Sequence, residues 1–130
     1  MYLDVDILLA LIKEKDFHRE YAKKIISLKE DKYTSVISLI ELEIVIKREV
    51  SDILSMELDK VLIKILPELR IVDCDNEIFN KSLDLRKKFN LGIFDSIHAA
   101  TSLKFDKRIA STDHMFEKVK GLVVVKTIIN

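Results

Sequence analysis

Apolar positions along the chain fall into short runs that alternate with stretches of helical spacing. Residues 1–4 form a first brief apolar run, after which Ile7, Leu8, Leu11 and Ile12 recur with the period of a helix. Phe17, Tyr21, Ile25 and Leu28 continue that period in a second helix for which Asp16 is the expected cap. Tyr33 to Val36 reads as a strand, with a helix following to about Val50. Leu54, Leu58, Val61, Leu62 and Ile65 share one helical face, and Pro67 ends that helix. Leu69 to Val72 reads as a strand, and Asp75 is placed to cap a helix over 76–89. Gly92 permits a turn into a helix that carries Asp95 and runs to about Phe105. Arg108 to Ser111 and Leu122 to Val125 supply the last strands, with a short helix over 114–119 between them.

Short apolar runs separated by helices predict an α/β fold, a parallel sheet covered by helices. The runs lack polar alternation, as strands do when both faces are buried. Only two glycines and one proline interrupt the chain, and no linker or repeat divides it, so one domain over 1–130 is expected.

Charge and cysteine content narrow the function classes. Lys and Arg number 22 and Asp and Glu number 22, a balance unlike that of a constitutive nucleic-acid coat protein. It is compatible with a nuclease whose acids sit in one cleft. The single cysteine, Cys74, permits no internal disulfide and no cysteine metal cluster, which fits a reducing, cytoplasmic setting. No run approaches the ~18–20 apolar residues of a membrane span. Asp4 and Asp6 interrupt the first apolar stretch, which has no basic leader.

Four acids, Asp4, Glu41, Asp95 and Asp113, stand at or near the ends of apolar runs. In an alternating α/β fold such handover points gather outside the carboxyl ends of the strands. Each acid has an ordinary structural explanation. Asp4, Asp95 and Asp113 can be helix caps, and Ser38-x-x-Glu41 matches a capping box. Together they are harder to explain that way. Two carboxylates about 4 Å apart repel by roughly 4 kcal/mol at an effective dielectric of about 20, whereas a cap contributes about 1 kcal/mol. A divalent cation would relieve the repulsion, and an oxygen-only ligand set suits Mg²⁺ or Mn²⁺. His98, one turn beyond Asp95, reads more readily as a hydrogen-bonded packing residue than as a ligand, and His114 as solvent-facing. Asp73 and Asp75, flanking Cys74, are left outside the site.

Four stretches, LDVDIL at 3–8, SLIEL at 38–42, FDSIHAAT at 94–101 and STDHMF at 111–116, resemble in order and spacing the PIN-domain ribonucleases, and within them the small VapC-like toxins. The resemblance implies a PIN-like α/β/α sandwich and metal-assisted hydrolysis of single-stranded RNA. It places Asp4, Glu41, Asp95 and Asp113 at the acidic positions. Asp4, Asp95 and Asp113 would hold Mg²⁺ or Mn²⁺, and Glu41 would orient or deprotonate the attacking water. Thr112 would help hold water or phosphate near Asp113. Asp6 stands where the family usually has Asn, adding negative charge. A homodimer and an antitoxin partner are also implied, with the apolar helices near the N-terminus and over 52–66 as the surfaces to watch. Lys13, Lys47, Arg48, Lys87, Lys88, Lys104 and Arg108 are candidate contacts for the RNA backbone.

Other readings remain open at this stage. A non-catalytic PIN-like module would bind RNA or protein, but it has no need of four mutually repelling acids. A haloacid-dehalogenase-type phosphatase is hinted at by Asp4-x-Asp6. That chemistry wants Thr or Val where Leu8 stands, and a later paired acidic motif where Ser111-Thr112-Asp113-His114 supplies one acid. No Ser–His–Asp or Cys–His set and no glycine-rich phosphate loop is present.

Overall fold

A computed structural model describes residues 1–13, 15–49 and 52–126, without the side chains at 49, 52, 54 and 55. The expected helix end at Val50, the Leu54 side chain and the last four residues of the expected domain therefore lie outside the described residues. The chain order is β1 (Tyr2–Leu3), α1 (Val5–Ile12), α2 (Arg19–Ser27), β2 (Lys32–Ser35), α3 (Val36–Glu49), α4 (Asp52–Ile65), β3 (Leu69–Val72), α5 (Asn76–Phe89), α6 (Ile93–Lys104), β4 (Arg108–Ala110), a 3-10 helix (His114–Lys118) and β5 (Val123–Val125).

All strand pairings are parallel, and the sheet order is β3-β2-β1-β4-β5. The chain builds outward from β1 through β2 to β3. It then returns by α5 and α6 to lay β4 against the other side of β1. The direction of winding thus reverses between β1 and β4, and a crevice opens outside their carboxyl ends. Right-handed crossovers in opposite directions put helices on opposite faces.

The side chains sort accordingly. Leu3, Leu69, Ile71, Ala110 and Val125 join the core under α1 to α4. Their neighbours Tyr2, Val72, Ile109 and Val124 join the core under α5 and α6, with Tyr33. The two-residue period of a strand delivers apolar groups to both layers, which is why the sequence shows unbroken apolar runs. The result is the α/β/α sandwich expected.

Two expectations need correction. The second helix starts at Arg19, and Phe17 lies before it, 93 % exposed. Asp16 accepts the His18 amide in a preceding turn at 2.8 Å rather than capping the helix. Helix α1 is largely interior, with Ile7 and Leu8 fully buried, while its Leu11 lines a cleft shared with α2 and α4. The apolar groups exposed on α4 are Ile53, Met56 and Ile63.

Candidate metal centre

Asp4 leaves β1 at the crevice and caps α1, its Oδ1 accepting the Val5 amide at 2.8 Å. Its other oxygen accepts the Ser111 hydroxyl at 2.7 Å. The carboxyl is buried, and its pKa is pushed up to about 7, first by burial and next by the charge of Asp6. His98, Ser111 and the Val5 amide pull the other way without winning.

Asp6 faces the loop after β4. Its Oδ2 accepts the Thr112 amide at 2.7 Å, the Thr112 hydroxyl, and more weakly the Ser111 hydroxyl at 3.3 Å. Its Oδ1 is buried with no hydrogen-bond partner. Thr112 thus binds Asp6 through both its amide and its hydroxyl, a contact its expected role in holding water or phosphate near Asp113 did not include. Ser111, overlooked in the sequence, links Asp4 to Asp6 and accepts the Asp113 amide at 3.0 Å. Asp113 caps the 3-10 helix by accepting the Met115 amide at 2.9 Å.

Glu41 and Asp95 come from the other two motifs, and neither is a cap. Helix α3 already begins at Val36, with the Ser35 hydroxyl accepting the Ile37 amide at 3.1 Å, so no capping box forms. Glu41 lies well inside α3 and meets His98, Oε1 to Nε2, at 2.6 Å. Asp95 is the third residue of α6, whose N-cap is Gly92. Its pKa is raised by burial first, then by Asp113, with Glu41 and Asp6 adding to the effect and His98 opposing it. The carboxylates thus act on one another across a single crevice, although only Asp4 and Asp113 sit where strands hand over to helices.

His98 is the hydrogen-bonded, packed residue that the sequence suggested, and its partners include two of the acids. It is completely buried, one turn beyond Asp95 on α6. Its Nε2 lies 3.8 Å from Asp4 as well as 2.6 Å from Glu41. Ligating atoms of Asp4, Glu41 and His98 all fall within 4.8 Å of one another. Burial lowers the ring's pKa, but the Glu41 hydrogen bond and the Asp4, Glu41 and Asp95 charges outweigh it, leaving the net shift upward. The i, i+3 spacing from Asp95 was the available signal.

The donor set fits a hard divalent cation. Carboxylate oxygens dominate, Asp4 and Asp95 are held above their ordinary range first by burial and then by neighbouring carboxylates, and among the described residues a buried Asp6 oxygen lacks a partner. An unmatched buried carboxylate oxygen is costly in a protein without a cation.

Other candidates are occupied elsewhere. Asp75 caps α5, accepting the Ile78 amide at 2.8 Å, and binds Lys104 at 2.6 Å. Arg108 pairs with Glu30 at 2.6 Å. Lys47, Arg48, Lys87 and Lys88 are exposed, and His114 is solvent-facing as expected.

A parallel sheet whose winding reverses beside a crowd of carboxylates defines a class of acid-centred α/β domains. The PIN domain family model matches residues 1–122, and the chain belongs to that family. No curated protein matches the sequence significantly. Among solved structures, the chain resembles a toxin–antitoxin complex from Klebsiella pneumoniae (TM-score 0.73, 20 % identity, covering 97 % of this chain and 96 % of that one). It also resembles FitAcB from Neisseria gonorrhoeae (TM-score 0.76, 20 % identity, 97 % and 96 %). A third likeness is to VapC20 of Mycobacterium tuberculosis, a toxin that cleaves the sarcin–ricin loop (TM-score 0.75, 16 % identity, 89 % and 92 %). At these identities the likeness is one of fold.

Proposed function

We propose that the protein is a metal-dependent endoribonuclease that hydrolyses phosphodiester bonds in single-stranded RNA, and that it is the toxin of a toxin–antitoxin pair. The observation that carries this reading is the crevice itself. Asp4 and Asp95 are both forced toward their neutral forms by burial and like charge, beside an Asp6 oxygen with no partner.

Asp4, Asp95 and Asp113 would hold Mg²⁺ or Mn²⁺. When bound, the ion lowers the pKa of a coordinated water and stabilises charge on the phosphoryl group. Asp6 supports the site by fixing the Thr112 amide and hydroxyl, and Thr112 acts through that clamp. Glu41, anchored by one oxygen to His98, orients or deprotonates the attacking water. A cleft of about 270 Å³ opens past Ser111, Thr112 and Asp113 toward Tyr21 and His18, and gives the RNA strand a way in.

For partners, a cleft of about 420 Å³ between α1, α2 and α4 has Leu11, Ile26, Val61 and Ile65 in its wall and Arg19 and Lys64 on its rim. That combination suits an antitoxin segment with apolar and acidic residues. A homodimer and a cytoplasmic location belong to the same reading. Among the described residues no helix is long and apolar enough to cross a membrane.

The test is incubation with a mixed RNA pool and Mn²⁺ or Mg²⁺, with cut ends mapped. Discrete cleavage that chelator abolishes is expected. Intact RNA under both ions would leave a binding module instead of an enzyme.

A further inference from the structure

A row of buried hydrogen bonds runs from the backbone of β1 to Glu41. The Thr34 hydroxyl lies 2.7 Å from the Leu3 carbonyl oxygen and 2.8 Å from Ser38 Oγ. Ser38 Oγ lies 2.8 Å from the Tyr2 hydroxyl, which lies 2.5 Å from His98 Nδ1. On the far side of the ring, Nε2 meets Glu41 Oε1 at 2.6 Å. Tyr2, Thr34, Ser38 and His98 are all fully buried, so water does not substitute for a missing partner.

Hydrogen counting fixes the end of this row at Glu41. At such distances each contact needs one hydrogen between its heavy atoms, and each hydroxyl owns one. The Glu41 carboxylate only accepts, so the His98 Nε2–H donates to it. At the other end the Thr34 hydroxyl donates, its hydrogen shared between the Leu3 carbonyl and Ser38 Oγ. The Ser38 and Tyr2 hydroxyls carry the row from Thr34 to Nδ1. The ring's tilt is thereby set by hydroxyls on β1, β2 and α3, close to Asp4 itself. Nε2 is aimed at Glu41, whose Oε1 is engaged and whose other oxygen is left for the crevice.

We infer that His98 is a positioning residue for Glu41, held by the Tyr2–Ser38–Thr34 row so that the carboxylate is fixed before substrate arrives. This rests on the nuclease reading for its kinetic consequence but not for its structural one. A group that aims a reacting carboxylate affects turnover more than binding, because the aim matters most in the transition state. Outer partners of this kind typically change activity by about 10–100-fold.

The test pairs kinetics with spectroscopy on Tyr2→Phe, His98→Ala and His98→Gln, each first checked for a native circular dichroism spectrum. With Mn²⁺, His98→Ala should lower kcat by about 100-fold and Tyr2→Phe by about tenfold, while KM for RNA and the Kd for Mn²⁺ stay within about threefold. Gln, whose amide can still donate toward Glu41, should recover about tenfold of the loss. Nitrogen-15 spectra of the metal-free protein should show His98 protonated at Nε2, with that proton exchanging slowly in wild type and faster in Tyr2→Phe. Unchanged kcat in both Tyr2→Phe and His98→Ala would overturn the inference. So would a Kd for Mn²⁺ weakened more than about tenfold in His98→Ala, which would make the ring a ligand. A bare Nε2 would overturn the His98–Glu41 hydrogen bond even if wild type cleaves no RNA, which separates this failure from that of the nuclease reading.

Discussion

Acids stand at the carboxyl ends of both β3 and β1, and the fold treats them in opposite ways. After β3, Asp75 caps α5 and is matched by the Lys104 ammonium, which holds its carboxyl below the usual range. After β1, Asp4 is buried beside Asp6, its pKa is pushed up to about 7, and the ion pairs reaching Asp4 and Glu41 among the described residues come from His98. Residue type and strand-end position are shared. The difference is topological, because β3 is an edge strand while β1 lies at the reversal of winding, where the β4 loop and α6 bring further acids in. An acid that the chain has already neutralised is structural. Acids that the chain has buried and crowded against one another are set up for an external cation.

The largest effect expected from breaking this contrast is at Asp4. Asp4→Asn or Asp95→Asn should lower RNA cleavage with Mn²⁺ by about a thousandfold or more, as loss of about 4 kcal/mol of transition-state stabilisation would. The metal-free melting temperature should stay equal or rise, because a repelling charge has gone. Cleavage assays beside thermal melts check both halves, and easy unfolding of both variants without metal would favour a capping role.

Next is pH. Asp4 has a folded pKa near 7 against an ordinary value of 3.8, so the native state binds its proton more tightly than the unfolded chain does. Its stabilising contribution is full below about pH 4 and is lost as pH rises through about 7. The upward shift of His98 acts in the same sense. Denaturant midpoints of metal-free protein should therefore fall across that window, and the fall should shrink in Asp4→Asn.

Asp6→Asn should have a smaller effect. An amide oxygen can still accept from Thr112 and Ser111, while the charge that raises Asp4 disappears. Ion binding followed against pH should then begin at lower pH than in wild type. No change in its onset would mean that Asp6 does not set the ionisation of Asp4.

The smallest effect is expected at β3. Asp75→Asn should lower the melting temperature modestly and leave cleavage untouched, and its loss of stability should appear only above the acid range, where Asp75 is ionised. A large loss of cleavage would join the two strand ends into one site and erase the contrast.

Much of this arrangement was legible in the residues. The 69–72 strand and the 76–89 helix with its Asp75 cap match the structure residue for residue, because Pro67 and the cap punctuate them locally. Phe17 misled because helical spacing says nothing of where a turn delays the helix, and it stands exposed before Arg19. Ser38-x-x-Glu41 misled more usefully. The pattern fits a capping box, but Ser38 is drawn to Tyr2 and Thr34, and Glu41 to His98, partners distant in sequence. The links from Asp6 to Thr112 and from Ser111 to Asp4 also span more than a hundred positions. Spacing along one chain does not encode such pairings; the sheet order does.

Titration calorimetry with Mn²⁺ and with Mg²⁺ on folded wild type and Asp4→Asn tests the central claim most directly. Saturable uptake by wild type, lost or sharply weakened in the variant, is the expected result. Folded wild type that takes up neither ion, with or without RNA, would contradict the account.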